Sequence, residues 1–340
     1  MQAAEFRDLV ATQVRELEAA SSDEEPTLLT LMDGGDPVRV KMSIPVCGKA
    51  LVWLVECLPE GLDIIPVDVP LAKCYDVFSL ESLPSLSSWG ARDARGLCAL
   101  RAELKQAFLA HQKRLIATHY NSKVSFNFDA VKHLADLECL VDSDLAHLVF
   151  PLFEPGAVID ARLLAVRVHV TIPCSLSSAA RAEVALRVPA RLKLTATYKP
   201  APLSLDSLLG DYLPTLQSSL QVGWAKRQEF VAALRSHAAV VELDSMDFSR
   251  VVVLVKSAPE GTVAGKSKAV VRLLDMSITL DFPDKPPLLM LREFQSARAW
   301  SLDPSLYRYS PRWTAQRMGE ELLKHALDQS AAPPAAWAAH

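Results

Sequence analysis

A thiol that exchanges thioesters needs an exposed loop, a thiolate, and an amide donor close enough to hold the oxyanion of the exchange. Of the six cysteines, Cys47, Cys57, Cys74, Cys98, Cys139 and Cys174, Cys74 comes nearest, because Lys73 beside it favours the thiolate. Yet the run Pro70-Leu71-Ala72-Lys73-Cys74-Tyr75 has no His-Pro-Asn element ahead of the thiol, and a half-buried structural cysteine is the better reading. Cys98 is the second candidate. No Cys-x-x-Cys pair occurs, so the cysteines read as reduced thiols of an intracellular protein, with disulfide or zinc pairing as the alternatives. A hydrolytic zinc site needs a His-x-His pair, a downstream acid and a separate glutamate. The eight histidines, His111, His119, His133, His147, His169, His237, His325 and His340, contain no such pair. Asp206 and Asp211 lie near Ser204 and Ser207 without a G-x-S-x-G elbow, a pattern that suits a helix cap better than a hydrolase. The expectation is a protein with no catalytic residue, no metal and no cofactor of its own.

Other residues are suited to contact. Tyr309, Pro311, Arg312 and Trp313 bring together the types that most often dominate interfaces. They are candidates for partner binding, with Arg312 stacking on Trp313 to pin the last helix as the structural alternative. Phe282, Pro283, Pro286 and Pro287 form a proline clamp, Leu-Asp-Phe-Pro-Asp-Lys-Pro-Pro-Leu-Leu-Met-Leu from residue 280 to 291, in which a strand runs into prolines and resumes. Prolines have no backbone donor and fix φ, so such a turn leaves a sheet without stranding N–H groups, and Lys285 is pushed towards extended backbone. We read it as a fold-defining turn. No cysteine follows it, which suggests a ubiquitin-conjugating-type fold without the conjugating nucleophile.

Composition narrows the partners. The 340 residues are 50% hydrophobic, enough for two or three domains with real cores. A formal charge of −4 and a pI near 6.1 provide no overall basic surface for nucleic acid. Apolar runs such as Val251 to Val255 fall far short of the roughly 20 residues a bilayer span needs. Met1 to Leu17 is interrupted by Glu5, Arg7, Asp8, Arg15 and Glu16, so it does not read as a secretory signal.

Three units share one order of elements. Apolar residues Phe6, Leu9, Val10, Val14 and Leu17 mark a first helix. Strand-like runs follow at residues 27–32, 38–44 and 51–57, with Asp33-Gly34-Gly35-Asp36 as a hairpin turn. An irregular stretch through Pro59, Pro66, Pro70 and Pro84 then leads to a helix over 97–119. The middle unit reads as a helix over 129–148, strands at 162–172, 183–188 and 192–198, and a helix over 206–222. The third reads as a helix over 224–237, strands at 248–256, 269–280 and 288–291, and a last helix over 314–327. In that helix over 224–237, Trp224 and Phe230 are expected in the core and the basic pair Lys226-Arg227 on a solvated face. The divisions fall at 1–122, 123–222 and 223–330, with an alanine- and proline-rich tail at 331–340 expected to be mobile, and the common order argues for duplication.

Particular segments carry a family resemblance. Tyr309-Ser310-Pro311-Arg312-Trp313, with Met318 following, resembles the signature that precedes the last helix in the brain-and-reproductive-organ-expressed (BRE) subunits of the BRISC and ARISC deubiquitinase assemblies. The run Lys226 to His237, Lys-Arg-Gln-Glu-Phe-Val-Ala-Ala-Leu-Arg-Ser-His, is similar to a second stretch of that family. Ile44-Pro45 through Gly48, Leu51-Val52-Trp53 and Leu86 to Trp89 form a weaker third. Leu58 to Asp63 departs from the family's tyrosine and proline pair, so a different strand-to-loop turn is expected there. The resemblance implies an α+β fold of tandem ubiquitin-conjugating-enzyme-variant (UEV) or RWD-like domains, with antiparallel meander sheets flanked by helices. It further implies a non-catalytic scaffold of a lysine-63-type-ubiquitin deubiquitinase complex in cytoplasm and nucleus, acting in ubiquitin signalling and the DNA damage response. The implied partners are a JAMM-type deubiquitinase subunit with its pseudo-enzyme MPN partner, a von Willebrand A-domain subunit, and ubiquitin chains as a further candidate; nucleic acid and membrane are not among them. The alternative is a UEV cofactor of an active ubiquitin-conjugating enzyme.

Overall fold

The computed structural model describes residues 3–20, 28–32, 37–69, 80, 83–90, 93, 95–119, 122–142, 144–174, 182–188, 200, 203, 208–245, 248–257, 270–279, 281–293, 298–303 and 306–331. The expected turn at 33–36, the strand at 192–198, Cys74, Ser204, Asp206, Ser207, Leu280 and the tail beyond 331 lie outside these residues. By its contacts the chain divides into two compact units, Met1–Glu154 with Arg167–Arg187 and Ala201–Tyr212, and Pro155–Val166 with Val188–Pro200 and Leu213–His340.

The first unit holds two four-stranded antiparallel meanders. Helix α1 (Ala3–Ala20) precedes β1 (Leu28–Leu31), β2 (Val38–Val46), β3 (Lys49–Leu58) and β4 (Gly61–Asp68). Alternation along β2 buries Val38, Val40, Met42 and Ile44 in a core shared with α1 and with α3 (Gly96–His119), and Val46 in a second cluster with Phe108 of α3, while Arg39 and Lys41 face water. Strand β4 was expected to be irregular because of Pro59 and Pro66. Pro59 in fact occupies the two-residue turn between Leu58 and Gly61, and Pro66 lies on the edge strand, where the missing donor costs no ladder bond on the open side. A short helix α2 (Pro84–Ser87) is fastened by Glu103, whose carboxylate accepts from Ser85 N at 2.9 Å and from Ser85 Oγ at 2.8 Å.

Helix α3 serves both sheets of this unit. Leu97, Leu100 and Leu104 enter the first core, and Phe108, one turn on, packs with Leu140 and Val149 of the second sheet. Helix α4 (Ser122–Val131) then leads into β5 (Glu138–Asp142), β6 (Leu145–Pro151), β7 (Arg167–Pro173) and β8 (Glu183–Arg187). The helix expected over 129–148 is therefore two strands over its second half. Residues 138–141 and 146–150 are buried on successive positions, and a strand covered on both faces has no polar alternation to reveal its period. The first residues of the expected strand at 162–172 instead form a 3-10 turn, Leu163–Ala165.

The second unit packs a five-stranded antiparallel sheet against two helices. Helix α5 (Leu209–His237) runs through both segments expected as separate helices. Gly223 at the expected break costs only about 1 kcal/mol in a helix interior, too little to stop it. Strands β9 (Ala239–Leu243), β10 (Arg250–Ser257), β11 (Val270–Ser277), β12 (Leu288–Glu293) and β13 (Ala299–Leu302) follow, and α6 (Ala315–Ala331) closes the unit. Strands β9 and β13, the two short edge strands of this sheet, are not among the elements expected from the sequence. Phe230, Val231 and Leu234 from α5 and Met318, Leu322 and Ala326 from α6 meet Val251, Val253, Leu274, Met276 and Leu291 in one core.

Candidate functional site

The proline clamp is the connection between β11 and β12, whose last and first residues, Ser277 and Leu288, are directly paired. Phe282 is 2% exposed and its ring lies 5.0 Å from Phe230, and the Phe282–Pro283 peptide is cis. Lys285 N donates to Asp281 O at 3.0 Å, and the Lys285 ammonium pairs with the Asp281 carboxylate at 2.7 Å. Pro287 is buried and Pro286 half-buried.

Two tyrosines hold this connection from the segment before α6. The Tyr309 hydroxyl donates to Pro283 O at 2.6 Å and the Tyr307 hydroxyl to Pro287 O at 3.1 Å. Burial pushes both phenols well above their ordinary range, with Asp284 adding to the shift at Tyr309, so both stay protonated donors. The prolines of the clamp bring no N–H donors to this stretch, and the tyrosine hydroxyls supply donors to two of its carbonyls. The sequence signalled only Tyr309; Tyr307 stands two residues earlier in the same extended stretch.

Arg227 satisfies the other flank. It was expected on a solvated face, yet it is 2% exposed. Its Nε donates to Thr279 O at 3.1 Å and its Nη2 to Ile278 O at 3.1 Å. Lys226 does face outward, paired with Glu229 at 2.8 Å. The two strongest family-like segments, 226–237 and 309–313, thus both close on the same turn. Trp224 is 3% exposed, as expected of a core residue, but its Nε1 also donates to Asp160 Oδ2 at 3.1 Å. Arg162 clamps that carboxylate at 2.6 Å and stacks over Trp224 and Phe248. The Arg162 hydrogen bond, opposed by burial, brings the Asp160 pKa down to about 2.

The remaining candidates separate. Pro311 and Arg312 are exposed. Trp313 is half-buried against the core, and the cation over its ring is Arg317 at 4.5 Å, not Arg312. Helical geometry explains the exchange, because a side chain three or four residues into the helix projects back over the residue that precedes it. Trp313 N donates to Ser310 O at 3.1 Å, closing a tight turn, and Thr314 caps the helix by accepting from Arg317 N at 3.3 Å.

A second polar cluster lies in the first unit, at the tip of the β2–β3 hairpin. Cys47 (φ 51°) and Gly48 (φ 76°) form a two-residue turn with both residues left-handed, as a type I′ turn requires. Glu138 accepts from Cys47 N at 2.9 Å and pairs with Lys105 at 2.7 Å, while Arg187 donates to Cys47 O at 2.7 Å. The same Arg187 nitrogen meets His169 Nδ1 at 3.0 Å. Arginine can only donate, so His169 accepts at Nδ1, carries its proton on Nε2, and donates to His147 Nδ1 at 3.3 Å. Burial and the charge on Arg187 hold His169 down at about 4, and burial lowers His147 as well.

These side chains do not make a nucleophile. Burial raises every described cysteine: Cys47 well above its ordinary value, Cys57 and Cys139 to about 12, and Cys98 and Cys174 in the same direction. For Cys98, the remaining thioester candidate, the nearby Glu16 adds to the rise, which disfavours the thiolate. Among the described residues no group of histidine, cysteine and acidic side chains is placed to hold a metal ion, and no described helix is long and apolar enough to cross a membrane.

The architecture is that of an α+β protein whose antiparallel meander sheets are flanked by helices, with an aromatic segment bonded to a proline-built connection. Over 342 aligned residues the chain is 23% identical to "BRISC and BRCA1-A complex member 2" of Branchiostoma floridae, covering 85% of this chain and 82% of that relative. The resemblance to the BRE subunits therefore runs along most of the chain. No family model matches it.

Proposed function

We propose that the chain is a non-catalytic scaffold of an assembly that trims lysine-63-type ubiquitin chains. It is built from three UEV or RWD-like domains at residues 1–122, 123–222 and 223–330. It bridges a JAMM-type deubiquitinase and its pseudo-enzyme MPN partner to a von Willebrand A-domain subunit, engages ubiquitin chains, and works in cytoplasm and nucleus. The observation that carries this reading is the likeness, along 85% of the chain, to a relative named as a complex member. The chemistry of the described residues supports it: burial raises their thiols, and at Cys98 the nearby Glu16 adds to the rise, which disfavours the thiolate. A scaffold instead needs surfaces that keep their shape, and the Tyr307, Tyr309 and Arg227 bonds around residues 278–287 supply that at one end of the third sheet.

Affinity purification of the tagged chain from its native cells, with mass spectrometry of what co-purifies, tests the proposal. Recovery of a JAMM-type protein supports it. Recovery of only ubiquitin-activating and ubiquitin-conjugating enzymes favours the second reading, a UEV cofactor, which the proline-built turn without a following cysteine also suits. That reading requires faster chain formation when the chain is mixed with an active conjugating enzyme.

A further inference from the structure

Between Asp303 and Glu320 the sequence has no acidic residue and three arginines, Arg308, Arg312 and Arg317, in a chain that carries 40 acidic residues and a net charge of −4. All three arginines are exposed, and none has a carboxylate partner among the described residues. The neighbouring acids are engaged elsewhere or unpaired: Glu320 meets His237 at 3.4 Å and Gln316 at 3.4 Å, Asp281 holds Lys285, and Asp284 forms no ion pair with the three. Arg317 also stands in the first turn of α6, where the helix dipole disfavours a cation. Unneutralised charge is kept there on a rigid support. Tyr309 is bonded to Pro283, the turn at 310–313 is closed by a backbone bond, and Arg317 sits over the Trp313 ring. Beside these cations, Leu306 is 64% exposed and Pro311 is exposed.

We infer that residues 306–317 are a docking surface for an acidic peptide segment of a partner protein, with its carboxylates on Arg308, Arg312 and Arg317 and an apolar side chain over Leu306 and Pro311. This rests on reading the segment as a partner contact and states the chemistry of that contact. Guanidinium forks match carboxylates two bonds at a time. A nucleic acid would need a longer basic track along its backbone than these three cations.

The test uses the full chain and two fluorescein-labelled peptides of alternating glutamate and leucine or glutamine and leucine, read by fluorescence anisotropy. The glutamate peptide binds, the glutamine peptide does not, and raising salt weakens the complex. R308Q/R312Q weakens binding by about tenfold or more, as expected for the loss of two charge-assisted contacts, with an unchanged thermal melt showing that the fold is intact. Equal binding of both peptides, binding indifferent to the double substitution, or tighter arginine-dependent binding of poly(U) would each overturn the inference. Pull-down of complex subunits with the same double variant separates the two levels. Lost assembly without glutamate-peptide binding overturns the acidic chemistry but keeps the contact, and intact assembly without peptide binding overturns both.

Discussion

The Tyr309 hydroxyl donates to the Pro283 carbonyl at 2.6 Å, joining two stretches that are 26 residues apart in the chain and that the sequence presents as unrelated features. One is the proline clamp between two strands and the other the aromatic segment before the last helix. Their contact makes the position of α6 depend on the clamp. Tyr309→Phe removes the bond and little else, and should cost about 1 kcal/mol of stability. Tyr307→Phe, acting on Pro287, should cost a similar amount. Urea unfolding of the two single variants and the double variant measures both, and a double variant no less stable than wild type would refute the clamp as a stabilising device.

Arg227 supplies two donors to consecutive carbonyls, Ile278 and Thr279, from a buried position. Lysine has the charge but not the fork, so Arg227→Lys cannot reproduce both bonds. We expect a loss of about 3 kcal/mol, because a charge left buried with imperfect pairing is expensive. A denaturation midpoint equal to that of the wild type would contradict it.

The imidazoles of His169 and His147 are neutral by construction, since Arg187 occupies the acceptor lone pair of His169. The folded pKa of His169 lies near 4 against an ordinary 6.5. As pH falls through that interval the unfolded chain takes up a proton that the folded chain refuses, so stability declines from the upper value towards the lower and then levels. Denaturant midpoints on the two sides of the window measure the decline, and His169→Gln should flatten it. A slope unchanged in that variant would assign the effect to other groups.

Gly48 sits at φ 76° with the Arg187 guanidinium filling the space a Cβ would take. Gly48→Ala must strain the turn and displace Arg187 from Cys47 O. A loss of about 1–3 kcal/mol is expected, read by thermal melting. Substitution at Gly61, where nothing lies within 4 Å of the added carbon, is the control and should cost less.

What could be read from the residues followed burial on one face. Strands β2 and β7 alternate cleanly, and α3 and α6 begin within a residue of where their patterns begin. Strands β5 and β6 did not announce themselves because both faces are covered, and their leucine spacing fits a helix equally well. Helix α5 runs through Gly223 because packing of its apolar residues outweighs one weak helix former. Arg227 reads as a surface cation until the carbonyls that need it, fifty residues downstream, are in place. Arg317, not Arg312, stacks on Trp313, since only the helix places the later residue over the ring. Long-range polar closure leaves no local pattern, whereas a one-sided core does.

The scaffold claim is tested most directly by measuring cleavage of lysine-63-linked ubiquitin chains with the JAMM-type subunit and its MPN partner, with and without the chain, and with the chain alone. A scaffold shows no cleavage alone, and gives a higher rate and co-elution when it is added to the other subunits. Cleavage by the purified chain itself, or an unchanged rate with no co-elution, would contradict it.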